Sequence, residues 1–384
     1  MEENNQRNNT VKSKKKKRRY SKGTVRCCAF LIFVSLCAII LSAYQTTTNN
    51  AISTKGKKGL SNLNLEHTSK SEKVAYFLVC GVDDSKTLTD VIMVVMFDIE
   101  KQAVKVMQIP RDTYIGGGKG IGQQSTKINA VYGKGQSMDW CGKCKKNVLK
   151  SEVNGSKHTV CGKDVSKNSD SGVLELIKVV NEQFGIPVDH YVTFTIEGFK
   201  NSVDAVGGVE VDVPKYSEYH GKSIKKGVQT LNGDKAEILF RYRELSGDIG
   251  RMEAQRQLWS GVAVKILDMT QVEFATTLLP KVYKEVSTDM TISELRDYKI
   301  KADKIRVSDI EYLMIPGEGL YANEVSYYSV HLNEYIELFN EKFIPYGTAV
   351  TDKKISAYQL SGDKPKTGSV SQIESEDGHP DISW

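Results

Sequence analysis

The sequence predicts an α/β fold, with helices sandwiching a buried sheet, carried behind a single N-terminal transmembrane helix. Apolar runs of strand length alternate with segments of helical period, the pattern of interleaved strands and helices. An uncharged apolar run also follows directly on a strongly basic tail.

Residues 1–26 hold ten Lys or Arg against Glu2 and Glu3, a local charge of +8. The whole chain carries +6, so the other 358 residues sum to −2. From Cys27 to Ala43 there are seventeen residues without a charge, at the lower limit of the roughly 17–25 that span a bilayer. Basic residues flanking a first apolar segment hold that side in the cytoplasm. The expectation is a cytoplasmic tail over 1–25 and a retained signal anchor over 26–44. A cleaved signal peptide ending near Ala43 is the rival, although both its basic region and its apolar run are long for one. Either reading puts the remainder outside the cytoplasm. The Lys14–Arg19 run also suits nucleic acid, but the apolar segment behind it and the near-neutral remainder argue against such a partner.

Residues 45–72 are polar, rich in Gly, Ser, Thr and Asn, and read as an extracellular linker. The folded domain is expected over 73–345. It opens with the continuous apolar run "VAYFLVCGVD", a buried strand ending at Asp83. "DVIMVVMFDIEKQAVKVMQIPRDTY" reads as two strands joined by a turn around Asp98–Gln102 and stopped at Pro110. "GVLELIKVVNEQFG" has Val173, Leu176, Ile177, Val180 and Phe184 at helical spacing and a Gly stop at 185. A strand at "YVTFTI", a short helix at "FKNSVDAVGG" and a strand at "VEVDV" follow. Helices are then expected after Asn232 and over "RMEAQRQLWSGVAVKILDM", the latter with Leu258, Trp259, Val262 and Ile266 on its core face. The stretch 271–345 reads as mainly helical, with one strand at "DIEYLMI". Residues 346–384 read as a loosely ordered tail.

Candidate chemistry gathers at the ends of these elements, where α/β folds place their sites. Asp83 follows the first strand, Asp90 opens the second, and Arg111 and Asp112 stand where the third is broken. Arg241 and Arg243 are two apart, so an extended stretch would point them to one face. Arg251 is expected to open the following helix, whose N-terminus attracts anions. Arginines beside acidic residues suit a magnesium ion and clustered phosphate, and a phosphate handled at an outer membrane surface is expected on a lipid. Any single arginine has an ordinary surface-ion-pair reading; the inference rests on their combination. No nucleophilic triad is expected, because none of the six histidines has a convincing partner in the sequence.

"CGVDDSKTLTDVIMVV", "VMQIPRDTYI", "KINAVYGKG", "FGIPVDHYVTFTIEGFKNSVDAVGGVEVDVP", "LNGDKAEILFRYR" and "DIGRMEAQRQ" resemble successive blocks of LytR-CpsA-Psr proteins, in order, over 76–258. The resemblance implies an α-β-α sandwich with a central mixed sheet. It also implies a phosphotransferase that moves an anionic glycopolymer, such as teichoic acid or capsule, from a polyprenyl pyrophosphate carrier onto peptidoglycan through a phosphodiester bond. By the same resemblance, Asp83 and Asp90 would hold Mg2+, and Asp83 would also activate the incoming sugar hydroxyl. Arg111, Arg241, Arg243 and Arg251 would bind the pyrophosphate, with Lys127 and Gln255 completing the polar shell and Asp112 beside Arg111. The membrane lipid carrier and peptidoglycan are the implied partners, with association to other cell-wall synthesis proteins a further expectation. A polyprenyl-pyrophosphate hydrolase and a non-catalytic, membrane-tethered lipid binder or attenuator are the competing functions.

The chain departs from the family pattern twice. Leu88 stands where many members have an arginine two residues before the second aspartate, leaving a pyrophosphate contact missing or supplied by Lys86. Residues 133–172 form an atypical polar insertion containing Cys141, Cys144 and Cys161, three of the seven cysteines. A disulfide is the state that an extracellular loop favours. Reduced thiols and a zinc site are the alternatives, and zinc would need His158 as a fourth ligand.

Overall fold

In a computed structural model, the described residues are 71–116, 127–241, 247–268, 285–290, 309–322 and 325–355, with isolated positions between them. The anchor expected over 26–44 and Arg243 lie outside them. Among the described residues, no helix is long and apolar enough to cross a membrane.

Three strands open the domain: β1 (Val74–Val82), β2 (Thr89–Asp98) and β3 (Ala103–Gln108). Helix α1 (Val131–Ser137) follows. The insertion then forms five minimal strands: β4 (Asp139–Cys141), β5 (Lys146–Val148), β6 (Val153–Asn154), β7 (Lys157–His158) and β8 (Val165–Ser166). Helix α2 (Ser171–Phe184), strand β9 (His190–Thr195) and helix α3 (Ile196–Ala205) come next. Strands β10 (Val209–Val213), β11 (Ser217–Tyr219), β12 (Lys222–Ile224) and β13 (Gly227–Leu231) lead into helices α4 (Gly233–Phe240) and α5 (Gly247–Asp268). Strands β14 (Val286–Thr288), β15 (Ile310–Met314), β16 (Gly317–Ala322) and β17 (Val325–Val330), and helix α6 (Leu332–Leu338), complete the chain.

The central sheet runs β14-β9-β1-β2-β3-β15. It is mixed: β1 pairs parallel to β9 and β3 to β15, while the β1–β2, β2–β3 and β9–β14 pairings are antiparallel. Every residue of β1 is buried, because helices cover both faces and a strand covered twice reads as an unbroken apolar run. Ala75, Phe77 and Val79 point into one core with Phe199 of α3, Leu239 of α4 and Leu258 of α5. Tyr76, Leu78 and Cys80 point into the other with Val131 of α1, Ile177 of α2 and Tyr335 of α6. That is an α-β-α sandwich.

Local signals account for several helix starts. Thr195 accepts from the Gly198 N–H at 3.1 Å and Asn232 from the Lys235 N–H at 3.0 Å, each satisfying an orphan donor of a first turn. Phe199 packs its ring 4.8 Å from Phe240 and 4.9 Å from Trp259, and Trp259 lies 5.2 Å from Phe194. This aromatic set fixes α3, α4 and α5 against the end of β9.

Three expectations change. The 271–345 region carries β14 and the β16–β17 hairpin as well as the expected strand β15. Residues such as Gly317, Gly319 and the tyrosines of 325–330 give no clean alternation, and pairing to each other decides them. The packed body also continues past 345: Asn340 clamps the Val350 backbone through both its amide atoms at 2.9 Å, and Ile355 is buried. From the expected linker, Leu60 is buried in the second core.

Candidate active site

The first and second strands form an antiparallel hairpin whose connection is organised by its own first acid. The Asp83 carboxylate accepts the backbone N–H of Thr87 at 2.7 Å and of Leu88 at 2.9 Å on one oxygen. On the other it accepts the hydroxyls of Ser85 at 2.5 Å and Thr87 at 2.9 Å. Burial works to raise its pKa, but the Leu88, Ser85 and Thr87 donors outweigh it and hold the group below the usual carboxylate range. Asp83 is therefore a fixed, ionised carboxylate and a weak proton acceptor. The D-x-S-x-T spacing was a readable sign of this loop, since short polar side chains after an aspartate build such turns.

Asp90, at the start of β2, accepts from Arg111 Nη1 at 2.7 Å and lies 3.9 Å from Arg251 Nη1. Arg111 is placed by backbone: its carbonyl accepts the Asn129 N–H at 3.1 Å, and the Asn129 carbonyl accepts the Thr89 hydroxyl at 3.3 Å. Asp83, Asp90, Arg241, Arg251 and Gln255 line one open pocket of about 200 Å³ together with Gly81, Val82, Phe194, Ile196, Tyr219 and Phe240. Its lining combines ionic side chains with aromatic and aliphatic ones. Gln255 is buried and donates to the Phe240 carbonyl at 3.3 Å.

Two local expectations are corrected. Arg241 sits in helical conformation at the C-terminal cap of α4 and not in an extended stretch. It reaches the pocket by another route, donating from Nε to Glu237 at 2.8 Å and lying over the Tyr219 ring at 5.3 Å. Arg251 lies a full turn inside α5, which begins at Gly247, and is 3 % exposed, so it does not mark a helix N-terminus.

Lys127 and Asp112 do not line the pocket. They pair with each other at 3.0 Å, Lys127 lies over the Tyr327 ring at 5.5 Å, and the Asp112 carbonyl accepts the Tyr328 N–H at 2.9 Å. The pair ties the segment after Arg111 to β17. Lys86 is exposed, with a left-handed φ of 55°, and is not a lining residue; Leu88 is exposed in the same loop. Tyr219, Glu237, Phe194 and Phe240 carried no distinguishing sign in the sequence and enter the site only through packing.

The histidine expectation also changes. His190 places Nδ1 3.0 Å from Asp289 and Nε2 3.3 Å from the Tyr298 hydroxyl, at the opposite end of β9 from the pocket. His158 lies among the three insertion cysteines, all of them free thiols, so the expected disulfide is not formed.

The model of the LytR_cpsA_psr family matches residues 37–343. The chain belongs to this family. It is 30% identical over 281 residues to a Bacillus cereus (strain AH820) relative named polyisoprenyl-teichoic acid–peptidoglycan teichoic acid transferase TagU, covering 71% of this chain and 78% of the relative. Its identity to the transferase TagV of Bacillus subtilis (strain 168) is 27% over 307 residues, covering 76% of this chain and 69% of TagV. The crystal structure of B. subtilis TagV superposes with a TM-score of 0.54 at 26% identity, covering 70% of this chain and 95% of that one. The α-β-α sandwich with its mixed sheet is thus the fold of the family.

Proposed function

We propose that this chain is a phosphotransferase of cell-wall assembly, moving an anionic glycopolymer from a polyprenyl pyrophosphate carrier onto peptidoglycan. The observation that carries the reading is the mixed lining of the pocket. Arg241 and Arg251, with Arg111 joined through Asp90, share it with Val82, Phe194, Ile196 and Phe240. A charged diphosphate attached to a hydrocarbon chain needs both surfaces at once. The transferase names of the relatives support the same chemistry. The basic tail and apolar run before the domain support a site outside the cytoplasm, beside the membrane that holds the lipid.

In this reaction the acceptor hydroxyl attacks the phosphorus that bears the glycan. A new P–O bond forms, the bond to the bridging oxygen breaks, and polyprenyl phosphate leaves with that oxygen and its electron pair. The hydroxyl proton is lost late, to Asp83 or to water, consistent with a weak base and a loose transition state. Positioned cations supply most of the acceleration by neutralising charge that grows on the oxygens. Mg2+ fits the donor set, since Asp83 and Asp90 are hard oxygen ligands lining one pocket, and this ion commonly takes one or two carboxylates plus substrate phosphate. When bound, it would be held by Asp83 and Asp90 and would neutralise charge on the diphosphate.

The test incubates the purified full-length chain with Mg2+, a polyprenyl-pyrophosphoryl oligosaccharide and short peptidoglycan glycan strands, and reads the products by mass spectrometry. A phosphodiester-linked conjugate that is absent with Asp83→Ala is the expected result. Polyprenyl phosphate released only with free sugar phosphate would replace transfer by hydrolysis. No turnover with retained lipid binding would favour the non-catalytic reading.

A further inference from the structure

The insertion between α1 and α2 has almost no core of its own. From 139 to 170 only Cys141, Val148 and His158 are buried. Its strands are two or three residues long, too short to hold together by pairing alone. Segments of this kind require a staple. Two of the three buried side chains belong to a single cluster of Cys141, Cys144, His158 and Cys161, whose ligand atoms all lie within 4.8 Å of one another.

The cluster is built from two matching turns. Cys141-x-x-Cys144 connects β4 to β5, and His158-x-x-Cys161 runs from β7 towards β8. In the first the Lys145 N–H donates to the Cys141 carbonyl at 2.8 Å; in the second the Gly162 N–H donates to the His158 carbonyl at 2.8 Å. Both donors have left-handed φ, 52° at Lys145 and 66° at Gly162. Each turn thus presents its two donor side chains in the same way, and the β4–β8 pairing brings the turns face to face. Separations between donors are 3.5 Å for Cys141 Sγ to Cys161 Sγ, 3.4 Å for Cys144 Sγ to His158 Nδ1 and 3.3 Å for Cys161 Sγ to His158 Nδ1.

Those separations match the edges of a tetrahedron around one ion. Zn–S bonds of about 2.3 Å and Zn–N bonds of about 2.0–2.1 Å give edges of about 3.8 Å between sulfurs and about 3.5 Å from sulfur to nitrogen. They do not match a disulfide, in which the sulfurs are about 2.05 Å apart. His158 adds a further sign: its ring is fully buried and turns Nδ1 into the cluster, against the sulfurs of Cys144 and Cys161.

We propose that Cys141, Cys144, His158 and Cys161 bind one structural zinc ion that folds the insertion. Binding displaces the remaining thiol protons to solvent and leaves a closed, four-coordinate site with no position for substrate. The ion holds the insertion on the domain beside α2, where Asn147 donates to the Ser171 carbonyl at 3.0 Å and to Glu175 at 3.1 Å.

The experiment measures metal in the full-length chain, purified in detergent without a metal-affinity step, by inductively coupled plasma mass spectrometry. The expected content is about one zinc per chain. Exchange with Co2+ is expected to give the visible bands of a tetrahedral ion and thiolate-to-cobalt charge transfer, and Cys144→Ser or His158→Ala is expected to lose most of the metal. Wild-type protein with only trace transition metal would overturn the proposal, as would a different resident metal or a disulfide-linked peptide containing any two of Cys141, Cys144 and Cys161. Because the wild-type measurement alone decides, a variant that fails to fold leaves the test intact.

Discussion

Replacing Arg111 by alanine removes the guanidinium that lies 2.7 Å from Asp90, with side-chain exposures of 16% and 29% for the pair. A hydrogen bond to a charged group contributes about 1.5–3 kcal/mol. Arg251, 3.9 Å from the same oxygen, continues to compensate Asp90, so the stability loss belongs at the low end, about 2 kcal/mol. The catalytic loss is larger. Withdrawing one positioned donor from developing oxyanion charge costs about 10²–10³-fold in kcat, or roughly 3–4 kcal/mol. Arg111→Lys keeps the charge without the planar fork and is expected between the two. The assay is the conjugate-forming reaction, with thermal denaturation to show that the variant is folded. Turnover within about threefold of wild type would refute the assignment. A double-mutant cycle with Asp90→Asn separates direct action on phosphate from holding Asp90: if Arg111 serves only Asp90, the double variant is no worse than the poorer single one.

Two further outcomes test the fold, one beside the site and one at the far end of the sheet. In Gly133→Ala, the added Cβ would stand 2.3 Å from the Thr87 carbonyl, in the loop that carries Asp83; we expect about 1–3 kcal/mol of destabilisation and an activity loss beyond it, and wild-type kinetics would refute the contact. Asp189→Asn concerns pH: burial raises the Asp189 pKa to about 6 from an unperturbed 3.8, against the Tyr76 N–H bond that lowers it. Between those values the native state holds a proton the unfolded chain has released, so Asp189 makes stability fall as pH rises, by at most about 3 kcal/mol. Asparagine keeps an acceptor for Tyr76 and removes the titration. The stability of the variant relative to wild type should therefore increase from pH 4 to pH 7 in denaturant unfolding, and a pH-independent difference would sink the reasoning.

Much of the sheet was legible because burial on both faces leaves a plain mark. The β1 run is apolar throughout, the turn at Asp98–Gln102 is polar, and Pro110 ends the third strand. Helices with caps at Thr195 and Asn232 were legible for equally local reasons. The β16–β17 hairpin was not, since its glycines and tyrosines carry no clean period and its partner strand alone fixes its register. Asp83, Asp90 and Arg111 were readable as residues at strand ends. Arg241 was found for an unsound reason: it reaches the pocket from a helix cap, oriented by Glu237 and Tyr219, and neither contact is local enough for spacing to reveal.

Composition and order alone thus settled the class of fold, the family blocks and the identity of most polar groups now lining the pocket, because these depend on local periodicity and on residue type. Tertiary structure decided what those groups do to one another. It engaged Asp83 with four donors, gave Asp90 to two arginines, turned Lys127 and Asp112 into a pair outside the pocket, and supplied apolar lining from β1, β9, α3 and α4. It also closed two turns, each spanning four residues and separated by thirteen in the chain, into one set of metal donors. Distances between side chains remote in sequence depend on how layers pack, and packing is a property of the whole core.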